Sequence, residues 1–347
     1  MALKQHNDRP SLVRWYIDTR PLTTSTSSLP LLETLQPPDQ ETVKKYYQLP
    51  DRHMSLASYL LKYLFIHRIC RIPWNGIQIS RTPAPHRRPC FVPPTSDHPE
   101  HKVIPNVEFN VSHQASLVAL AGTIYSPSNS SPAAVFTQPV PSSAPLPSVP
   151  QVGIDITCAD EKRGSRASNP PTTHQALAEF VDIFAEVFSP RELTTMKNAR
   201  GPTLPPGPQR NAAEVQYGLW MFYTYWALKE AYIKMTGEAL LAPWLRELEF
   251  TDVIVPEASD VTGQWSRPYT GVRIWLHGKL VEDVRVEIVA FGRDYLIATA
   301  VRGAGIGAGS RVLDGVEGVD PWESLEKIEI EKDITACAIG SCHCLEQ

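Results

Sequence analysis

The chain is predicted to be an α+β protein built from two halves, each a helix packed on antiparallel strands, and three observations carry that prediction. An apolar helical stripe over residues 55–71 is followed by an apolar strand pair at 107–111 and 117–121. A second helical run over 212–236 precedes strand patterns near 248–250, 272–276, 284–289 and 295–301. Between the two sets, residues 126–150 hold seven prolines, seven serines and no charged side chain. Such a segment cannot bury enough surface to fold, so it is expected as a flexible insertion between the halves.

In chain order, residues 13–17 read as a strand, and the helix at 55–71 places Leu56, Leu60 and Leu64 on one face before Pro73 ends it. Residues 77–79 alternate like a strand and lead into a basic loop, Arg81-Thr82-Pro83-Ala84-Pro85-His86-Arg87-Arg88-Pro89. In the strand at 152–156, Gly153, Asp155 and Thr157 share one side while Val152, Ile154 and Ile156 share the other. Helices are expected at 174–188 and 212–236, separated by a proline-rich loop at 201–209. From Arg302 onward the chain opens with glycines and shows no long amphipathic pattern, so the end is expected as a loosely attached tail. The resulting boundaries are 1–125 for the first half, 126–150 for the insertion, 151–302 for the second half and 303–347 for the tail.

With 347 residues, 42% hydrophobic and 20% charged, the chain can bury a sizeable core. A formal net charge of -4 gives no global basic footprint for nucleic acid, so phosphate must be met by locally placed Lys, Arg and His. No run reaches the ~18 apolar residues that span a bilayer, and residues 1–10 lack an apolar core, so a cytoplasmic protein without membrane contact is expected. A monomer is expected as well. Six cysteines in a chain of this length make no disulfide scaffold, and free thiols are expected. Cys342-His343-Cys344 with Cys337 nearby offers metal-ligating side chains, but its spacing matches no standard zinc knuckle.

The segment Trp226-Ala227-Leu228-Lys229-Glu230-Ala231-Tyr232-Ile233-Lys234 stacks Trp226, Glu230 and Lys234 at spacings of four on one helix face. Taken alone, this is an ordinary surface ion pair behind a packing Trp. Asp155 on a buried strand supplies a second carboxylate, and Asp155 with Glu230 suits one hard cation. Phe109-Asn110-Val111-Ser112-His113 puts Asn110 and Ser112 on one strand face, with His113 opening the following turn. Ser112 and His113 point to opposite faces and lack a glycine elbow, which argues against a hydrolase dyad.

These segments, in this order over residues 50–237, resemble the Sfp-type 4'-phosphopantetheinyl transferases, most closely those of filamentous fungi. The resemblance implies a pseudo-dimer of two similar α/β halves. It implies transfer of the 4'-phosphopantetheine group from coenzyme A to a serine of an apo acyl, peptidyl or aryl carrier domain, releasing adenosine 3',5'-bisphosphate. The partners it implies are fatty acid synthase, polyketide synthases, nonribosomal peptide synthetases and aminoadipate reductase. By the same resemblance Asp155 and Glu230 bind Mg²⁺, for which Mn²⁺ substitutes, and water replaces the Glu that relatives often carry at Thr157. Lys234 follows the phosphoryl charge, and Glu230 deprotonates the serine, either directly or through a water. Arg81, Arg87 and Arg88, standing where the family has a Gly-Lys-Pro loop, together with Asn110, Ser112, His113, Glu230 and Lys234, contact coenzyme A. Arg52 joins them near the start of the first-half helix, with Lys44 or Lys45 as alternatives. Two other classes compete. A carrier-binding protein without activity would be expected to lose the acids, and another Mg²⁺-dependent phosphotransferase would be expected to show a Walker or kinase glycine-rich loop, whereas no Gly-x-x-x-x-Gly-Lys appears in this sequence.

Overall fold

A computed structural model describes residues 11–83, 86–93, 104–125, 149–159, 170–199, 201, 208–238, 242–257, 259, 263–303, 305–308 and 320–346. The first half opens with strand β1 (Val13–Asp18), followed by helices α1 (Arg20–Ser25), α2 (Pro37–Lys44) and α3 (Leu49–Cys70). A short hairpin of β2 (Ile79–Arg81) and β3 (Pro89–Phe91) then precedes the long antiparallel pair β4 (Asn106–Gln114) and β5 (Leu117–Tyr125). The second half starts at β6 (Gln151–Cys158) and continues through α4 (His174–Asp182), α5 (Pro190–Asn198) and α6 (Pro208–Thr236). It closes with β7 (Leu248–Thr251), β8 (Arg273–Leu276), β9 (Lys279–Leu280), β10 (Val284–Phe291) and β11 (Tyr295–Arg302). The α+β class and the helix-on-antiparallel-strand plan of each half agree with the sequence.

Helix α3 starts at Leu49, with Pro50 in its first turn where a missing N–H costs nothing, and ends where Arg71 turns left-handed (φ 56°) ahead of Pro73. It is buried nearly all round, with Leu60, Leu61, Leu64 and Phe65 fully enclosed against β4 and β5. The helix expected at 174–188 stops at Asp182. A new one, α5, begins behind Pro190, with Ser189 and Glu192 forming a reciprocal capping box. That signature, Ser189-Pro190-Arg191-Glu192, stands in the sequence and marks the boundary.

Two sheets dominate, one ordered β12-β1-β5-β4 and the other β10-β11-β6, where β12 spans Glu326–Lys327. Each half has its own core. A third cluster joins the halves, packing Leu12, Tyr16, Leu117 and Ala119 from the first against Val152, Ile154, Val289 and Val301 from the second.

The expectation of a loose tail fails over 320–346. Strand β12 pairs in parallel with β1, opposing Trp15 to Glu326 and Tyr16 to Lys327. Trp322 is buried and donates its indole N–H to the Ile306 carbonyl (2.7 Å), while Ile328, Ile334 and Cys337 enter the core of the first half. Arg285 grips Asp320 through two bonds of 2.8 Å. The segment lacks a long periodic element of its own because it completes another element's sheet edge. Apart from 149–150, the insertion expected at 126–150 lies outside the described residues, as do 202–207 of the second proline-rich loop. Among the described residues, no helix is long and apolar enough to cross a membrane.

Candidate active site

The site forms where β6, β4 and α6 meet, and Gly153 sets the distance. A Cβ there would stand 2.1 Å from the Ala231 carbonyl oxygen and 2.4 Å from the Met235 nitrogen, so only glycine lets α6 lie this close to β6. Two residues along the strand, Asp155 faces the same helix, on which Glu230 and Lys234 stand one turn apart.

The buried Asp155 carboxylate is held from three sides. Lys234 donates to its Oδ1 at 2.6 Å, Thr157 donates to Oδ2 at 2.8 Å, and Ser112 Oγ lies 3.3 Å from Oδ1. Lys234 also donates to Ser112 Oγ at 2.9 Å. Thr157, where an acid was missing, therefore orients Asp155 through its hydroxyl. Glu230 is treated differently. Its Oε1 is buried and, among the described residues, has no hydrogen-bond partner. Burial, and then the nearby Asp155 charge, push its pKa up to about 7 against the opposing pull of Lys234. Two neighbouring carboxylates, one with an orphaned buried oxygen, form the oxygen-donor set that a hard divalent cation takes. Asp155 and Glu230 thus fit the metal role given to them.

Strand β4 joins this cluster by an unusual edge. The side chains of Asn110, Ser112 and Gln114, on one face of the strand, accept from the β6 amides of Ile154 (3.0 Å), Ile156 (3.2 Å) and Cys158 (2.9 Å). Side chains thus satisfy the edge of β6 that β11 leaves open. Ser112 serves both this seam and the acid cluster. Asn110, expected to contact coenzyme A, spends its carboxamide oxygen on the seam.

The basic loop divides into two roles. The expectation that Arg88 holds phosphate gives way to a structural role. Its side chain is buried, donating to the Val152 carbonyl at 2.9 Å and the Met235 carbonyl at 3.3 Å and pairing with Glu108. With His86, whose Nδ1 lies 2.6 Å from the Gly237 carbonyl oxygen, it pins the loop to the C-terminal end of α6. Helix α6 ends there because Gly237 adopts φ +81°. Arg81 and Arg87 stay exposed, Arg81 donating to the Arg87 carbonyl at 3.1 Å. Arg52 spends its Nε on the Tyr46 carbonyl at 2.6 Å.

His113 is open at the surface yet flanked by the site walls. Desolvation there, followed by the charges of Lys234 and Lys62, lowers its pKa. Lys62 is the residue the sequence reading missed. It is buried within α3, its ammonium 3.7 Å from the centre of the Tyr59 ring. Burial lowers its pKa to about 8 against the attraction of Asp39, with Arg81 adding repulsion. Lys62, Arg81, His113 and Lys234 are thus electrostatically linked along one wall. The available signal was a lone Lys inside Leu60-Leu61-Lys62-Tyr63-Leu64-Phe65.

Comparison with known proteins decides what this geometry belongs to. A profile described as 4'-phosphopantetheinyl transferase, N-terminal, matches residues 23–125, and one described as 4'-phosphopantetheinyl transferase superfamily matches residues 151–300. The 4'-phosphopantetheinyl transferase A of Aspergillus fumigatus is 62% identical, covering 100% of this chain and 99% of its own length. The chain belongs to the 4'-phosphopantetheinyl transferase superfamily. The 4'-phosphopantetheinyl transferase NpgA of Emericella nidulans is 53% identical over 97% of this chain and 96% of its own. A human relative, L-aminoadipate-semialdehyde dehydrogenase-phosphopantetheinyl transferase, is 24% identical over 78% of this chain and 68% of its own. The two profile matches border the 126–150 insertion, and the cluster of the transferase draws Ser112 and His113 from the first and Asp155, Glu230 and Lys234 from the second.

Proposed function

We propose that this transferase moves the 4'-phosphopantetheine arm of coenzyme A onto a serine of apo carrier domains at the Asp155–Glu230–Lys234 cluster, with Mg²⁺ as the divalent cation. The observation that carries the reading is the pairing of a fully bonded Asp155 with a Glu230 whose buried oxygen is left unbonded. When bound, the cation would neutralise the pyrophosphate so that it accepts charge as its bridging bond breaks.

The chain's own residues do the rest. The serine oxygen bonds to the pantetheine-side phosphorus, the bridging P–O bond breaks, and adenosine 3',5'-bisphosphate leaves with the bond's electrons. Glu230, its pKa raised to about 7, takes the serine proton directly or through a water. Lys234, already poised between Asp155 and Ser112, follows the charge that develops on the phosphoryl oxygens. Lys62, Arg81 and His113 receive the nucleotide phosphates on the basic wall.

The carriers we infer are those of fatty acid, polyketide and nonribosomal peptide synthesis and of aminoadipate reduction, and the last is supported by the name of the human relative. A monomer acting in the cytoplasm belongs to the same proposal. Mass spectrometry of an apo carrier domain incubated with coenzyme A, Mg²⁺ and the protein tests the reading. The carrier should gain one phosphopantetheine arm on its serine. A carrier left unchanged, with the protein still binding it, would favour the non-catalytic alternative.

A further inference from the structure

His67, Cys337, Cys342 and Cys344 converge where the C-terminal segment crosses the end of α3, and their ligand atoms all lie within 4.8 Å of one another. The cluster joins residues far apart in the chain. His67 comes from α3, Cys337 from the helix α7 (Thr335–Ala338), and the other two from the turn that follows. Cys337 and His67 are buried, while Cys342 and Cys344 are partly exposed.

One sulfur pair already stands at the spacing of a tetrahedral ion. Cys337 Sγ and Cys344 Sγ stand 3.7 Å apart, and Zn–S bonds of about 2.3 Å at tetrahedral angles put two sulfurs about 3.8 Å apart. His67 is oriented as a ligating imidazole must be. Its Nδ1 lies 2.7 Å from the Ile72 carbonyl oxygen, which accepts the ring proton, so the lone pair falls on Nε2, 3.1 Å from Cys342 Sγ. His343, the histidine that sequence proximity singled out, sits instead on the exposed surface beside Glu346 (2.9 Å).

We propose that His67 Nε2 and the thiolates of Cys337, Cys342 and Cys344 form a structural zinc site, distinct from the carboxylate site of transfer. Three sulfurs and an imidazole select a thiophilic ion over Mg²⁺, just as two carboxylates do the reverse. The fold gives the site a purpose. The segment after 320 offers only a two-residue strand, a π-helical turn (Ile330–Ile334) and a four-residue helix, and a metal fastening it to α3 stabilises what so short a set of elements cannot.

The test uses the full-length protein purified in reducing buffer without chelator. Elemental analysis should find about one zinc per chain. Replacement by Co²⁺ should give thiolate-to-metal charge-transfer absorption and the visible bands of tetrahedral cobalt, which the oxygen ligands Asp155 and Glu230 cannot produce. Cys344→Ser should reduce that absorption at least about tenfold, whereas Cys90→Ser, outside the cluster, should leave it intact. Wild-type protein with well under half an equivalent of zinc and no thiolate band on cobalt addition overturns the proposal. So does recovery of Cys337 and Cys344 as a disulfide by peptide mass spectrometry. Because both wild-type measurements need no variant, a Cys344→Ser chain that fails to fold leaves the proposal decidable.

Discussion

Lys229 and Lys234 lie on the same helix, each ion-paired to an acid from another element, yet they do opposite work. Lys229 is fully buried. Its ammonium meets Glu192 at 2.9 Å, the Leu245 carbonyl at 3.0 Å and the Leu248 carbonyl, and Glu192 in turn accepts from the Ser189 and Phe250 amides. Every donor and acceptor there is used, which makes the pair a rivet between α6, α5 and β7. Lys234 is half-buried, and one turn before it Glu230 keeps a buried oxygen unbonded. The difference teaches where to look for chemistry on a helix: a satisfied buried pair holds structure, while an unsatisfied carboxylate beside a satisfied one waits for a ligand.

The largest effect should come from breaking the rivet. Lys229→Ala leaves Glu192 buried without its cation, a change that typically costs ~3–5 kcal/mol, while turnover per folded molecule should stay within a fewfold. Urea denaturation read beside activity checks this, and a loss below ~1 kcal/mol would dissolve the contrast between the two lysines.

Next comes Glu230 itself. Its pKa is raised from the ordinary 4.5 to about 7, so the folded protein holds a proton the unfolded chain releases. The stability this group contributes is therefore full below about pH 4.5 and lost as pH rises through about 7. Glu230→Gln in cation-free buffer should accordingly stabilise the protein by up to ~3 kcal/mol above pH 7 and by nothing at pH 4. Thermal melts across pH with both proteins test it, and Mg²⁺ should shrink the gain by restoring the wild type. A flat difference would mean the carboxylate is already satisfied.

In transfer assays the same variant, and Asp155→Asn, should lower kcat/KM at least about a hundredfold, or ~2.7 kcal/mol, without loss of fold. Smaller and different in kind are the lysines of the basic wall. Lys234→Ala should mainly lower kcat, by about tenfold, whereas Lys62→Met should mainly raise KM for coenzyme A, by a similar ~1.4 kcal/mol. Steady-state kinetics with varied coenzyme A separates them, and a KM effect alone for Lys234→Ala would move it to the nucleotide-holding set.

What the sequence made legible follows the range of the forces involved. Asp155, Glu230 and Lys234 stood out because strand and helix periods put them on definite faces, and Gly153 marked the close approach that brings those faces together. Trp226 is the packing residue that its place behind the ion pair suggests, set among Phe184, Phe188 and Phe222. Arg88 was misassigned because a basic loop does not say which guanidinium turns inward, and that is decided by Glu108 and by carbonyls of Val152 and Met235, all distant in the chain. Lys62 was invisible because a lysine in a helix reads as surface until both sides of the helix are known to be covered. The tail was misjudged for the same reason: its order comes from β1, from Arg285 and from His67, which is 275 residues from the cysteine it faces.

The most direct test of the central claim is a Mn²⁺ titration followed by electron paramagnetic resonance in the presence of coenzyme A, comparing wild type, Glu230→Gln and Lys229→Met. Mn²⁺ prefers carboxylate oxygens to thiolates, so the cysteine cluster should not compete. Wild type and Lys229→Met should each take up about one Mn²⁺ per chain, and Glu230→Gln should bind at least about tenfold more weakly. Equal binding by Glu230→Gln and wild type would contradict the assignment of the unbonded carboxylate as a cation ligand.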